Sequence, residues 1–216
     1  MAEAIEVSLD GAVGAPAAQR ALRTQGRRTM RRLLDAAMKA IDERGYHATR
    51  VQDVVDIAKT SHGTFYLYFS NKEDLVRALT VEAASEATKM SQAMAEAGSA
   101  VELESWDGLR SWVAGYSALW SHYAPLFRSW TDLVAIDEGV EDQIRRMVVA
   151  HTDAVASRVA ASERADGLDP QVAATAVVAM LDRFHFLRDF VGSPVDDDAI
   201  DMLTTMIHRA LFATPG

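Results

Sequence analysis

Apolar residues at Met30, Leu33, Leu34, Ala37, Met38 and Ile41 recur at steps of three and four. That period predicts a helix with one buried face, closed by Gly45 after the run IDERG. Thr49 is placed to cap a second, short helix through Ala58, whose inner side is Val51, Val54, Val55 and Ala58. A turn at Lys59 and Thr60 follows, and Ser61 caps a third helix of about two turns that ends near Phe69. Ser70 caps a fourth, NKEDLVRALTVEAASEATKMSQAMAEA, with Glu73 positioned to complete a capping box.

The helical period continues to the C-terminus. Ser105 to Tyr123 reads as an aromatic-rich helix, and Pro125 as the opening of another. Val140, Ile144, Met147, Val148, Val155 and Val159 form the seam of a helix that stops at Gly167. Asp169 and Pro170 start the next, which closes at Gly192, and Pro194 with three aspartates starts the last, its acids near the positive end of the helix dipole. The chain therefore reads as all-α, with about nine helices and no internal repeat of 20–50 residues.

The third helix raises a chemical question. Phe65 and Phe69 are four apart and can anchor one face against Leu33, Leu34 and Met38. His62, Gly63, Tyr66 and Leu67 are left facing outward, with Tyr68 to one side. Two short helices joined by a tight turn, the second displaying planar hydrogen-bonding groups, form a helix-turn-helix able to enter a major groove. Gly63 would let the backbone approach DNA closely, and Lys72, on the first turn of the fourth helix, could hold a phosphate.

Charge supports this picture only in its distribution. The net charge is -9, yet six arginines and no acid lie between Pro16 and Arg32, while Val81 to Gly216 carries 10 basic and 21 acidic residues. A basic end on an acidic chain suits a nucleic-acid reader with an acidic partner domain, and equally a solvated tail. Residues 1–26 read as a basic arm, disordered until DNA is present, and Arg20, Arg23, Arg27 and Arg28 ahead of the first helix are expected to add phosphate or minor-groove contacts. Without cysteine, disulfides, thiolate metal sites and cysteine nucleophiles are excluded. The N-terminal stretch lacks the pattern of a signal peptide, no run of about 18 apolar residues occurs, and a cytoplasmic location is expected.

The segment RRLLDAAMKAIDERGYHATRVQDVVDIAKTSHGTFYLYFSNKEDLVRAL, with its G-T-F-Y-x-Y-F-x-x-K-E-x-L signature, resembles the N-terminal domain of the tetracycline-repressor (TetR) family over roughly 50 residues. The resemblance implies a DNA-binding domain over residues 27–75 and a ligand-binding and dimerisation domain over 76–216. It also implies that Thr49, Arg50 and Gln52 meet phosphate or a base edge, and that His62, Gly63 and Thr64 lead the recognition helix. Tyr66 and Tyr68 resemble backbone-contacting aromatics and Lys72 the phosphate anchor. Lys59 departs from the family pattern, which has glycine in the turn; a left-handed lysine costs roughly 1 kcal/mol.

The C-terminal two-thirds resembles the family only in layout. Trp112, Tyr116, Trp120 and Tyr123 lie along one side of a helix, followed by Phe127 and Trp130, and with Met147, His151, Phe184 and His185 they are candidate ligand contacts. An aromatic stripe at helical spacing also reads as plain core. The helix PQVAATAVVAMLDRFHFLRDFVG is apolar nearly all round and, with Ile200, Leu203, Met206, Ile207 and Leu211, resembles the family's dimer interface. Asp182, His185 and Asp189 read as polar interface chemistry, so no metal site and no cofactor is expected. Nor does any G-x-S-x-G, P-loop or H-E-x-x-H motif supply catalysis. The expected protein is a non-enzymatic, homodimeric regulator, most simply a repressor, that binds a pseudo-palindromic DNA operator. Its effector should be a mainly apolar small molecule with one or two polar groups, and not a sugar or nucleotide. The competing reading is a helical dimer that binds small molecules or serves a structural role without DNA.

Overall fold

The computed structural model describes residues 24–95, 104–129, 138–162, 165 and 167–212. Among them are eight helices and no strand: α1 Thr24–Arg44, α2 Val51–Ile57, α3 His62–Tyr66, α4 Lys72–Ala95, α5 Trp106–Arg128, α6 Glu138–Ala161, α7 Pro170–Phe190 and α8 Asp197–Phe212. They divide into two units, residues 1–85 with 125–144 and residues 86–124 with 145–216. Helices α4, α5 and α6 each contribute residues to both.

The first unit is built as its periodicity requires. Leu33, Leu34, Ala37, Ala40 and Ile41 of α1 are buried with Val54 and Val55 of α2, Phe65, Phe69, and Leu75, Val76 and Leu79 of α4. Phe65 and Phe69 are fully enclosed with ring centroids 5.6 Å apart; truncating either to alanine should cost about 3–5 kcal/mol. Gly45 ends α1 at φ +75°, and the turn between α2 and α3 places Lys59 at φ +51°. That turn thus requires the left-handed backbone from a lysine, which is the strain the departure from glycine implied. Arg31 ties α1 to α4 through Glu82 at 2.7 Å while also reaching Asp35 at 2.8 Å.

Several caps differ from the sequence reading. Ser61 caps α3 as expected, its Oγ accepting from Thr64 N–H at 3.1 Å. Thr49 does not cap α2: Arg50 holds that position, and its N–H donates to Asp53 Oδ2 at 2.8 Å. The Thr49 hydroxyl instead lies within reach of the Ala40 and Gly45 carbonyls at 3.1 and 2.8 Å, tying the segment after α1 back onto it. For α4 the expected Ser70–Glu73 box is shifted by one residue. Asn71 Oδ1 accepts from Asp74 N–H at 2.7 Å, and Asp74 Oδ2 accepts from Ser70 N–H at 3.0 Å. Glu73 is left to accept from Tyr46 Oη at 3.4 Å.

In the second unit, Leu109, Trp112 and Val113 of α5, Val155 and Val159 of α6, Ala174, Val177 and Leu181 of α7, and Leu203, Ile207 and Phe212 of α8 share one core. Asp169 caps α7 by accepting from Val172 N–H, with Pro170 at the first helical position. Pro125 does not open a helix; α5 runs through it to Arg128. Proline interrupts only the local backbone ladder, and the flanking residues Tyr123, Ala124 and Leu126 are buried, which holds the helix continuous across the gap. Arg110 of α5 binds Asp201 and Asp197 of α8 at 2.5 and 3.0 Å.

Candidate nucleic-acid interface and buried aromatic site

Burying Phe65 and Phe69 turns the rest of α3 outward. His62 and Gly63 are exposed, Tyr66 is 49% and Leu67 61% exposed, and Thr64 and Tyr68 are half-buried. A Cβ built on Gly63 would meet nothing nearer than Ser61 Oγ at 3.7 Å. Packing within the chain therefore does not demand glycine there.

The other expected contacts separate into two groups. Arg50 and Gln52 are exposed at the start of α2, and Arg27 and Arg28 are exposed on α1. Because α1 begins at Thr24, those two arginines sit in a helix, while Arg20 and Arg23 lie outside the described residues. Thr49 is 2% exposed with its hydroxyl directed inward, so it does not present a group to DNA. Lys72 is half-buried. Its ammonium donates to the Tyr46 and Thr49 carbonyls at 2.9 and 3.1 Å and lies 4.2 Å from the centre of the Tyr46 ring. Of three N–H donors, two are thus committed to the loop between α1 and α2.

The outer faces of α2 and α3 are joined by a side-chain relay. Gln52 Nε2 donates to Asp56 Oδ1 at 2.7 Å, and Gln52 Oε1 lies 2.7 Å from His62 Nε2. Sequence reading singled out Gln52 and His62 but missed Asp56, although its i, i+4 spacing to Gln52 was there to find.

In the second unit, most of the candidate effector contacts come together. The Trp112 ring stacks on His151 with centroids 5.7 Å apart, and Tyr116 lies 5.5 Å from both His151 and His185. Trp120 and Phe184 each sit 5.7 Å from His185. Tyr123 is fully enclosed and Met147 half-buried. Phe127 belongs to the first unit, and Trp130 lies outside the described residues. Arg128 at the end of α5 pairs with Asp42 of α1. His185, expected in polar interface chemistry, is 1% exposed and faces inward.

Both histidines are engaged by serines that periodicity did not single out. His151 Nδ1 lies 2.9 Å from Ser91 Oγ, which donates to the Ala87 carbonyl. With that hydroxyl proton in use, Nδ1 carries the ring proton and Nε2 is a bare acceptor. No partner meets His151 Nε2, nor the Trp112 indole N–H, although both are buried. Burial holds the His151 pKa down to about 4, so the ring is neutral near pH 7. His185 Nδ1 donates to the Leu181 carbonyl at 2.7 Å, and its Nε2 competes with the Val113 carbonyl for the single Ser117 hydroxyl proton. Its pKa is also lowered, by burial first, against the opposing Leu181 bond and the Asp182 charge. The Tyr116 hydroxyl is pushed well above its usual range by burial and then by Asp182. Beside this cluster a cleft of about 350 Å³ is lined by Trp120, Ser121, Ala124, His185, Asp189 and residues 192–195.

Residues 33–79, which span the helix-turn-helix, match the family model for bacterial regulatory proteins of the tetR family. Over these residues the chain is similar to that family. A fatty acid metabolism regulator protein of Bacillus subtilis is 44% identical to the chain over 50 residues, which are 23% of this chain and 26% of that protein. The chain spans about a quarter of the length of the curated relatives it matches. Across the whole fold, the fatty acid degradation regulator FadR from Bacillus halodurans aligns with a TM-score of 0.66 at 19% identity, over 89% of this chain and 97% of that one. FadR from Bacillus subtilis in complex with stearoyl-CoA aligns with a TM-score of 0.64 at 20% identity, over 86% and 99% of the two chains. At such identities the likeness is one of fold.

Proposed function

We propose that this chain is a homodimeric transcriptional regulator that binds a pseudo-palindromic operator through α3 and is released by an effector with a long apolar part. The observation that carries the reading is the division of α3. Phe65 is fully enclosed and Phe69 just beyond the helix with it, while His62, Gly63, Tyr66 and Leu67 stand outside on a tetR-family domain. No helix among the described residues is long and apolar enough to cross a membrane.

A second copy accounts for the outer face of α7 and α8. Val172, Leu187, Phe190, Val191, Met202 and Met206 are 51–76% exposed, more large apolar surface than a lone chain usually leaves in water. Two-fold symmetry would then be mirrored in the DNA site. The effector belongs with the Trp112–Tyr116–His151–His185 cluster, where a buried acceptor and a buried donor lack partners. A fatty acyl compound suits this apolar surroundings and the relatives' names, with His151 Nε2 and the Trp112 N–H meeting its polar end.

The test is selection of the full chain against randomised duplex DNA, followed by competition with stearoyl-CoA, octanoyl-CoA and free coenzyme A. An inverted-repeat motif with two chains per site, released by stearoyl-CoA and not by coenzyme A alone, is expected. Failure to enrich any motif above nonspecific DNA would sink the DNA-binding reading; enrichment with no release by either acyl compound would sink the choice of effector.

A further inference from the structure

The relay Asp56–Gln52–His62 determines more than its length suggests. An ionised carboxylate only accepts hydrogen bonds, so the Gln52 group that meets Asp56 Oδ1 at 2.7 Å must be the amide NH₂. This fixes the amide orientation and turns its oxygen toward His62 Nε2, 2.7 Å away. An amide oxygen also only accepts, so Nε2 must carry the proton. In the neutral ring, Nδ1 is then a bare lone pair, and His62 is exposed at the first position of α3. Its ring lies 6.3 Å from that of Tyr66, so both are displayed on the outer side of the same short helix.

We propose that Asp56, acting through Gln52, sets the tautomer of His62 so that α3 presents an acceptor to a base edge bearing an amino group, adenine N6 or cytosine N4. Guanine and thymine offer acceptors in the major groove, which would face the Nδ1 lone pair unfavourably. The proposal also explains an exposed acid on this face. A carboxylate near phosphates weakens binding to every sequence, whereas a carboxylate that orients a reading side chain contributes specificity. Asp56 and Gln52 are positioning residues, and the inference rests on α3 reading DNA as proposed above.

The experiment repeats the randomised-duplex selection with the full chain and three variants, His62→Ala, Asp56→Asn and Asp56→Glu. All three changes are at exposed positions, and thermal melts confirm that each variant folds. The motif position that loses its preference in His62→Ala is the one His62 reads, and in the wild type it should favour adenine or cytosine by about tenfold, the low end for one base contact. Asp56→Asn lets the Gln52 amide turn either way, so the preference there should fall toward equality while affinity for nonspecific duplex does not fall. Asp56→Glu still only accepts and should keep the preference. A wild-type preference for guanine or thymine at that position overturns the proposal. So does an unchanged preference in Asp56→Asn, or a motif that His62→Ala leaves intact. Enrichment of no motif by any of the four proteins removes the DNA-binding reading itself, an outcome separate from the others.

Discussion

Lys72 shows how a side chain with an expected outward role acquires an inward one. Its signature position suggests a phosphate anchor, but two of its three N–H donors hold the Tyr46 and Thr49 carbonyls. Lys72→Ala should therefore lower unfolding free energy by about 1–3 kcal/mol, since two charge-assisted bonds are lost, as read by urea denaturation. Any loss of DNA affinity would come with it, and unchanged stability would mean the ammonium is not engaged there. His151 supports a pH prediction. In the unfolded chain it titrates near 6.5 and in the folded chain near 4, so the unfolded state takes up the extra proton as pH falls between them. Stability is thus full above about pH 6.5 and declines by roughly 3 kcal/mol toward pH 4. His151→Phe retains a ring against Trp112 and should remove most of that decline in melts across this window; an identical pH profile would show that His151 does not titrate as its burial implies.

At the scale of the element, α7 has two unlike faces. Ala174, Val177, Leu181 and His185 face the core at helical spacing, while Val172, Leu187 and Phe190 are exposed. Phe190 is 76% exposed, so Phe190→Glu should leave the fold of one chain intact. If this face joins two copies, the substitution should raise the dimer dissociation constant by at least about thirtyfold, the effect of one aromatic anchor, as measured by sedimentation equilibrium. A dimer unchanged in affinity would place the contact elsewhere. Helix α5 carries a similar lesson: its aromatic residues Trp112 and Trp120 are buried, while Gly115 is exposed. A Cβ at Gly115 would meet Met90 Sδ of α4 at 3.7 Å, an ordinary contact.

For the whole molecule, release by an effector as proposed is a matter of differential affinity. Moving a population from 1% to 99% released requires the effector to favour the released form by about 5.5 kcal/mol, and by reciprocity DNA must weaken effector binding by the same factor. Helix α4 supplies Lys72 to Ser85 to the first unit and Glu86 to Ala95 to the second, so one unbroken helix has residues in both. Trp112 is 3% exposed and part of the core, which makes its truncation to alanine a test of folding more than of response. Trp112→Phe keeps one aromatic ring but removes the unpartnered N–H together with the second ring of the indole, so it should lower the melting temperature while the chain still folds. It should leave the DNA affinity of the folded chain near wild type while weakening release by stearoyl-CoA about five- to tenfold, the effect of one hydrogen bond. Anisotropy titrations read this directly, and an unaltered response would exclude the indole N–H from the effector site.

Most of the helices and the division of α3 were legible in the sequence because period, the Ser61 and Asp169 caps and the Phe65–Phe69 spacing act over four residues or fewer. Even the strained Lys59 turn could be anticipated, since the left-handed backbone is a local demand of a tight connection. What the tertiary structure decided was which groups meet across long stretches of chain. Thr49 turned inward, Lys72 reached back 26 residues to Tyr46, and His151 and His185 found Ser91 and Ser117 across 60 and 68 residues. Helix α5 continued through Pro125 because burial on both sides of it outweighed one missing backbone bond. Local rules determine where a helix runs and which face is apolar; the partner of a particular polar atom is determined only when distant segments pack and each buried donor or acceptor must be satisfied by whatever then lies beside it.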